Sequence, residues 1–119
     1  MIHGSFGENG QLFFAIEFIA DDGLNLPVDS MFTGFTGFLA INQQDIESLG
    51  WSYIGRDTLR TAQGETLFKI YLGKLILNEQ EYEIPVYAGD EITEVLLGSE
   101  WLKILPLVVN YEAGILTLG

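Results

Sequence analysis

The order of apolar and polar positions reads mostly as strand. "QLFFAIEFIA" (Gln11 to Ala20) is rich in aromatic and branched residues and stops at the turn signal Asp21-Asp22-Gly23. A second strand is predicted from about Leu26 to Phe32, with Pro27 tolerated near its start or at an edge. "FLAI" (Phe38 to Ile41) is a short third strand. "NQQDIESLG" then breaks the pattern and predicts a brief helix, with Asn42 capping its first turn, Asp45 placed as in a capping box and Gly50 closing the end. Strands resume with a hairpin over Asp57 to Leu77, turning at Gln63-Gly64, whose second arm is long. "NEQ" is a turn, and "EYEIPVYA" (Glu81 to Ala88) is the next strand, where Pro85 marks an edge or bulge. A short apolar strand ends at Gly98, Ser99 is placed to cap a second short helix, and "LVVNYEAGILTLG" closes the chain as a hairpin turning at Glu112 to Gly114. The architecture expected is all-β, a closed barrel with one or two short helices.

The chain has 119 residues, enough for one core, so residues 1–119 are expected to form a single domain. With 48% hydrophobic and 18% charged residues, disorder and coiled coil are disfavoured. No apolar run approaches the ~20 residues that span a bilayer, and the opening "MIHGSFGENG" lacks the layout of a secretory signal. The formal charge of -12 repels phosphate backbones and anionic membranes, so neither nucleic acid nor membrane is an expected partner. The absence of Cys removes disulfides and thiolate chemistry, and a cytoplasmic location is the default.

Few residues offer catalysis. His3 is the only histidine and lies near a terminus expected to be mobile, so Ser-His and metal-His sites are poor candidates. Clusters of zinc-ligand type and Walker-type phosphate loops are missing from the sequence, and the acidic turns "ADDG" and "AGDE" are explained by turn chemistry; no metal or cofactor is expected. Glu79, Glu81 and Glu83 are read as exposed charges around an edge strand. Trp51 and Trp101 are read as core. What remains is carboxylate chemistry and two glycines, Gly34 and Gly37, inside the apolar run "VDSMFTGFTGFLAI". Glycine there means either bulges in a curved barrel or a turn that presents backbone amides at a site.

The run "TGFTGFLAI", followed by "NQQDIESLGW", "TAQGE", "VLLGSEWLKIL" and "GILTL", resembles the retropepsin-like aspartic proteases. The closest resemblance is to their small bacterial, especially cyanobacterial, branch. That signature is two apolar residues and then Asp-Thr-Gly-Phe-Thr-Gly-Phe-Leu, and the likeness covers nearly the whole chain in order. It implies a retropepsin-like barrel and an active-site loop at Phe32, Thr33 and Gly34. It also implies an apolar strand beneath the loop at Leu96, Leu97 and Gly98, and a substrate-covering flap at Ala62, Gln63 and Gly64. Because each protomer supplies one Asp, it implies a homodimer acting on peptides or unfolded proteins. The two carboxylates of such a site share a proton; the ionised one activates water and the protonated one polarises the peptide carbonyl.

Here the signature departs from the family. Aligned on Thr33-Gly34, the catalytic Asp falls on Phe32, or else one residue is deleted between Phe32 and Thr33. Either way the carboxylate is gone, which implies a proteolytically weak or inactive homologue that binds peptides. The alternative is an active endopeptidase using Asp29, which requires a three-residue insertion, Met31 to Thr33, inside the loop. On a regular strand Asp29 also falls on the face opposite Phe32. A third reading is a structural or regulatory β-domain that never dimerises.

Overall fold

The computed structural model describes residues 1–61 and 64–119. Two short strands, β1 (Ile2–His3) and β2 (Ser5–Phe6), lead into β3 (Leu12–Ile19) and β4 (Asn25–Phe32). β5 (Leu39–Asn42) runs directly into the helix α1 (Gln43–Leu49). β6 (Ser52–Thr61), β7 (Gly64–Leu77) and β8 (Gln80–Gly89) form a meander. β9 (Val95–Leu97), a 3₁₀ turn at Ser99–Lys103, β10 (Leu107–Asn110) and β11 (Ile115–Leu118) complete the order.

Six strands pair in the order β3-β4-β9-β5-β8-β7, and β7 returns to β3 through Glu17↔Ile76 and Phe18↔Leu75. That last pairing closes the barrel and leaves its six strands without a continuous open edge. Alternation fills the interior. Along β3, Phe14, Ile16 and Phe18 are buried while Ala15 between them is exposed. Leu39, Ile41, Leu75, Leu77, Val86 and Leu97 meet them inside. β1, β11 and β10 make a separate three-stranded sheet with β10 at its edge.

Local signals account for the connections. Asn42 Oδ1 accepts from the Gln44 N–H at 2.9 Å, and Gly50 ends α1 in the left-handed region at φ 73°. The helix buries Ile46 and Leu49. Between β7 and β8, Asn78 and Glu79 both hold positive φ, 56° and 63°, the mirror-image turn that matches the twist of a hairpin. Both tryptophans are buried, and each indole N–H donates to a carbonyl: Trp51 to Ile19 O and Trp101 to Phe38 O, both at 2.8 Å. Among the described residues, no helix is long and apolar enough to cross a membrane.

Three expectations need correction. Ser99 is the first residue of the 3₁₀ turn rather than its cap; Gly98 holds the cap position and, being glycine, has no side chain to make a cap bond, while the Ser99 N–H donates to Phe35 O. His3 does not sit on a loose end: β1 pairs with β11, with His3 opposite Thr117. β8 is an edge only over its first half. Gln80–Pro85 pair with β7 alone, whereas from Val86 onward the strand also pairs with β5. Pro85, which has no N–H to donate, stands at the last position before that second ladder begins.

Candidate functional site

β4 and β5 are successive in the chain, yet β9 lies between them, parallel to β4 and antiparallel to β5. The loop 33–38 must therefore arch across the end of β9, and its polar groups are pinned there. The Thr33 N–H donates to Leu97 O at 2.9 Å, and the Thr33 hydroxyl donates to the same oxygen at 3.4 Å. That hydroxyl in turn accepts from the Phe35 N–H at 3.2 Å. On the far side, Ser99 N–H donates to Phe35 O at 2.7 Å, Glu100 N–H to Gly37 O at 3.3 Å, and Gly98 N–H to Phe38 O at 3.0 Å. β4 ends at Phe32 and β5 begins at Leu39, so the glycines lie in a loop and not in bulges of a continuous strand.

The glycines have different reasons. A Cβ on Gly98 would overlap Gly37 O and stand 2.6 Å from Phe35 O, both fixed backbone atoms. Gly98 is what lets the loop and β9 approach so closely. A Cβ on Gly37 would come within 2.8 Å of the Phe35 ring and 3.2 Å of Tyr87. Gly34 faces open space and is exposed.

Phe32, the residue ahead of Thr33, is half-buried and packs against the core. Across the sheet it pairs with Leu12 on one side and Leu97 on the other. Asp29 is exposed and looks away from that interior, opposite in direction to the buried Ser30, whose hydroxyl donates to Phe14 O at 2.8 Å. It lines a shallow outer depression together with Met31 and Glu94. Of β9, Leu97 is buried and its carbonyl accepts from Thr33 as above, whereas the half-buried Leu96 pairs with Met31 and Ala40 and bonds nothing in the loop.

A cleft of about 280 Å³ opens between the loop and the β6–β7 hairpin, lined by Gly34, Phe35 and Thr36 on one side and Leu59, Arg60 and Phe68 on the other. Gly64 begins β7 opposite Thr61, while Ala62 and Gln63 lie outside the described residues. Behind the cleft stands Tyr87, edge-on to both Phe35 (centroids 5.3 Å) and Phe68 (6.0 Å). Its hydroxyl donates to Asp57 Oδ2 at 3.4 Å. Burial pushes the Tyr87 phenol above its ordinary range, and the charge of Asp57, its hydrogen bond and the charge of Glu100 push the same way. The sequence reading missed Leu59, Phe68, Tyr87 and Asp57. They come from three strands, and only the register Asp57↔Phe68 and Ile70↔Tyr87 assembles them. Among the described residues, no three His, Cys, Asp or Glu side chains group as metal ligands would.

The chain matches no family model and no curated protein by sequence. Solved structures do match. A retropepsin-like aspartic protease from Rickettsia conorii superposes with a TM-score of 0.70 at 17% identity, over 98% of this chain and 88% of that one. EIAV protease complexed with the inhibitor HBY-793 gives 0.64 at 11% identity, over 83% and 91%. The protease of Simian Foamy Virus (mac) gives 0.51 at 16% identity, over 79% and 100%. The barrel thus has the retropepsin-like fold.

Proposed function

We propose that residues 1–119 form one domain of the retropepsin-like aspartic protease family, in its small bacterial branch, which binds peptide segments as a homodimer and cleaves them weakly or not at all. One observation carries the reading. Every brace of the loop, from Thr33 to Leu97 and from Phe35 to Ser99, is made, while the position ahead of Thr33 holds a phenyl ring packed on the core. A phenyl ring neither accepts a proton from water nor shares one with a twin. The outward direction of Asp29 supports the same conclusion, since endopeptidase activity through Asp29 would need its carboxylate on the opposite face of β4. A cleft walled by Leu59, Phe68 and Phe35 suits an extended peptide.

The dimer is supported by charge. Residues 104–119 carry a single charged side chain, Glu112, in a chain of net charge -12. Within them β10 forms a sheet edge with Val108 and Val109 exposed. A second copy meets the least repulsion there and gains apolar burial. Sedimentation equilibrium at several concentrations tests this: a monomer–dimer equilibrium is expected. A strict monomer throughout would favour a β-domain that acts alone. Titrating a dye-labelled unfolded polypeptide into the protein should show saturable binding without loss of substrate length.

A further inference from the structure

We infer that the cleft selects peptides bearing a lysine or arginine side chain, received between the rings of Phe35 and Phe68 and the carboxylate of Asp57; this rests on the peptide-binding reading above. Asp57 stands directly opposite Phe68 in the β6–β7 ladder, so both side chains share the hairpin face that looks onto the loop. The carboxylate accepts from Thr58 N–H at 2.8 Å through Oδ1 and from the Tyr87 hydroxyl through Oδ2. Two of its roughly four acceptor sites remain for a ligand cation. The rings offer apolar walls to a lysine or arginine stem and a negative face to its charge. The raised titration of Tyr87 keeps its hydroxyl a donor, so Asp57 is held in place at neutral pH.

Charges of both signs surround the site: Arg56, Arg60 and Lys69 share the hairpin but stand on the ladder face opposite Asp57. Asp90 and Glu91 line a neighbouring cavity of about 410 Å³ that Phe68 also borders, and the whole chain is strongly acidic. Arg60 lines the same cleft, but it belongs to the other face of β6 and has Glu65 directly across the ladder.

The test uses the full chain and three dye-labelled short apolar peptides that differ only in a central Lys, Gln or Glu, with affinity read by fluorescence anisotropy at low salt. The Lys peptide should bind about tenfold more tightly than the Gln peptide. Asp57→Asn should cut that ratio to about twofold. A thermal scan of Asp57→Asn should match the parent, as expected for an exposed side chain. A Lys peptide no better than Gln, or a preference that survives Asp57→Asn, overturns the inference and leaves the peptide-binding reading standing. If none of the three peptides binds, that reading itself falls.

Discussion

Thr33 and Leu97 are joined twice: backbone N–H and side-chain hydroxyl of the one converge on the carbonyl oxygen of the other, at 2.9 and 3.4 Å. This pair holds the loop 33–38 to the end of β9, and the hydroxyl passes the restraint on to the Phe35 N–H. The loop is thus tied to β9 by backbone and side chain alike, and the residue ahead of it is Phe32.

The brace has a measurable size. Thr33→Val keeps the branched shape and removes the hydroxyl, leaving the Phe35 N–H without its acceptor. A loss of about 1 to 2 kcal/mol is expected in urea unfolding. Thr33→Ser should recover most of it. If Val and Ser behave alike, the hydroxyl is not what restrains the loop.

The two glycines at the ends of this contact should respond in opposite ways. Gly98→Ala forces a methyl onto Gly37 O and Phe35 O, and a destabilisation of about 3 kcal/mol or more is expected. Gly34→Ala meets nothing within 4 Å and should change stability by less than about 0.5 kcal/mol. Thermal melts of the two variants decide the matter, and equal costs would contradict the contact described for β9.

Tyr87 predicts an alkaline limb. Its folded pKa is raised, so its contribution is fully present below the unfolded value near 10 and is lost as pH climbs through the folded value. The stability difference between the parent and Tyr87→Phe should be flat below about pH 9 and shrink above about pH 10. In Asp57→Asn, the phenol of Tyr87 should titrate lower than in the parent, because the carboxylate's charge and hydrogen bond both favour the neutral phenol.

Restoring an acid is the constructive counterpart. Phe32→Asp, or an Asp inserted between Phe32 and Thr33, should move the protein toward cleavage if the carboxylate is all that is missing. Phe32 packs on the core, so an Asp there is held above its ordinary pKa. Its folded form is then favoured below about pH 4 and penalised as pH rises toward 7. Unfolding of Phe32→Asp at both pH values should show the lower stability at neutral pH. No gain of activity from either change would mean that the loop lacks more than one side chain.

Much of this was legible in the sequence because the signals were local. The aromatic and branched run of β3, the Asn42 cap and Gly50 stop of α1, and the turn at Asn78 and Glu79 each depend on residues a few positions apart. The Thr-Gly-Phe repeat likewise marked the loop. The cleft was not legible, because Phe68 of its wall meets the neighbouring Asp57 and Tyr87 only through ladder register, and a slip of one residue would turn each to the other face. Ser99 misled by one position: the 3₁₀ turn already includes it and Gly98 stands at the cap, a boundary shift of one residue that local capping signals do not resolve.

The central claim is that no carboxylate of this chain does the work of an aspartic-protease acid. The most direct measurement is an incubation of the purified protein, beside Asp29→Asn, with an unfolded protein substrate from about pH 3 to about pH 7, the range over which a carboxylate pair shares its proton. Little or no fragmentation, equal in the two proteins, is predicted. Robust cleavage that an aspartic-protease inhibitor blocks and Asp29→Asn abolishes would contradict it.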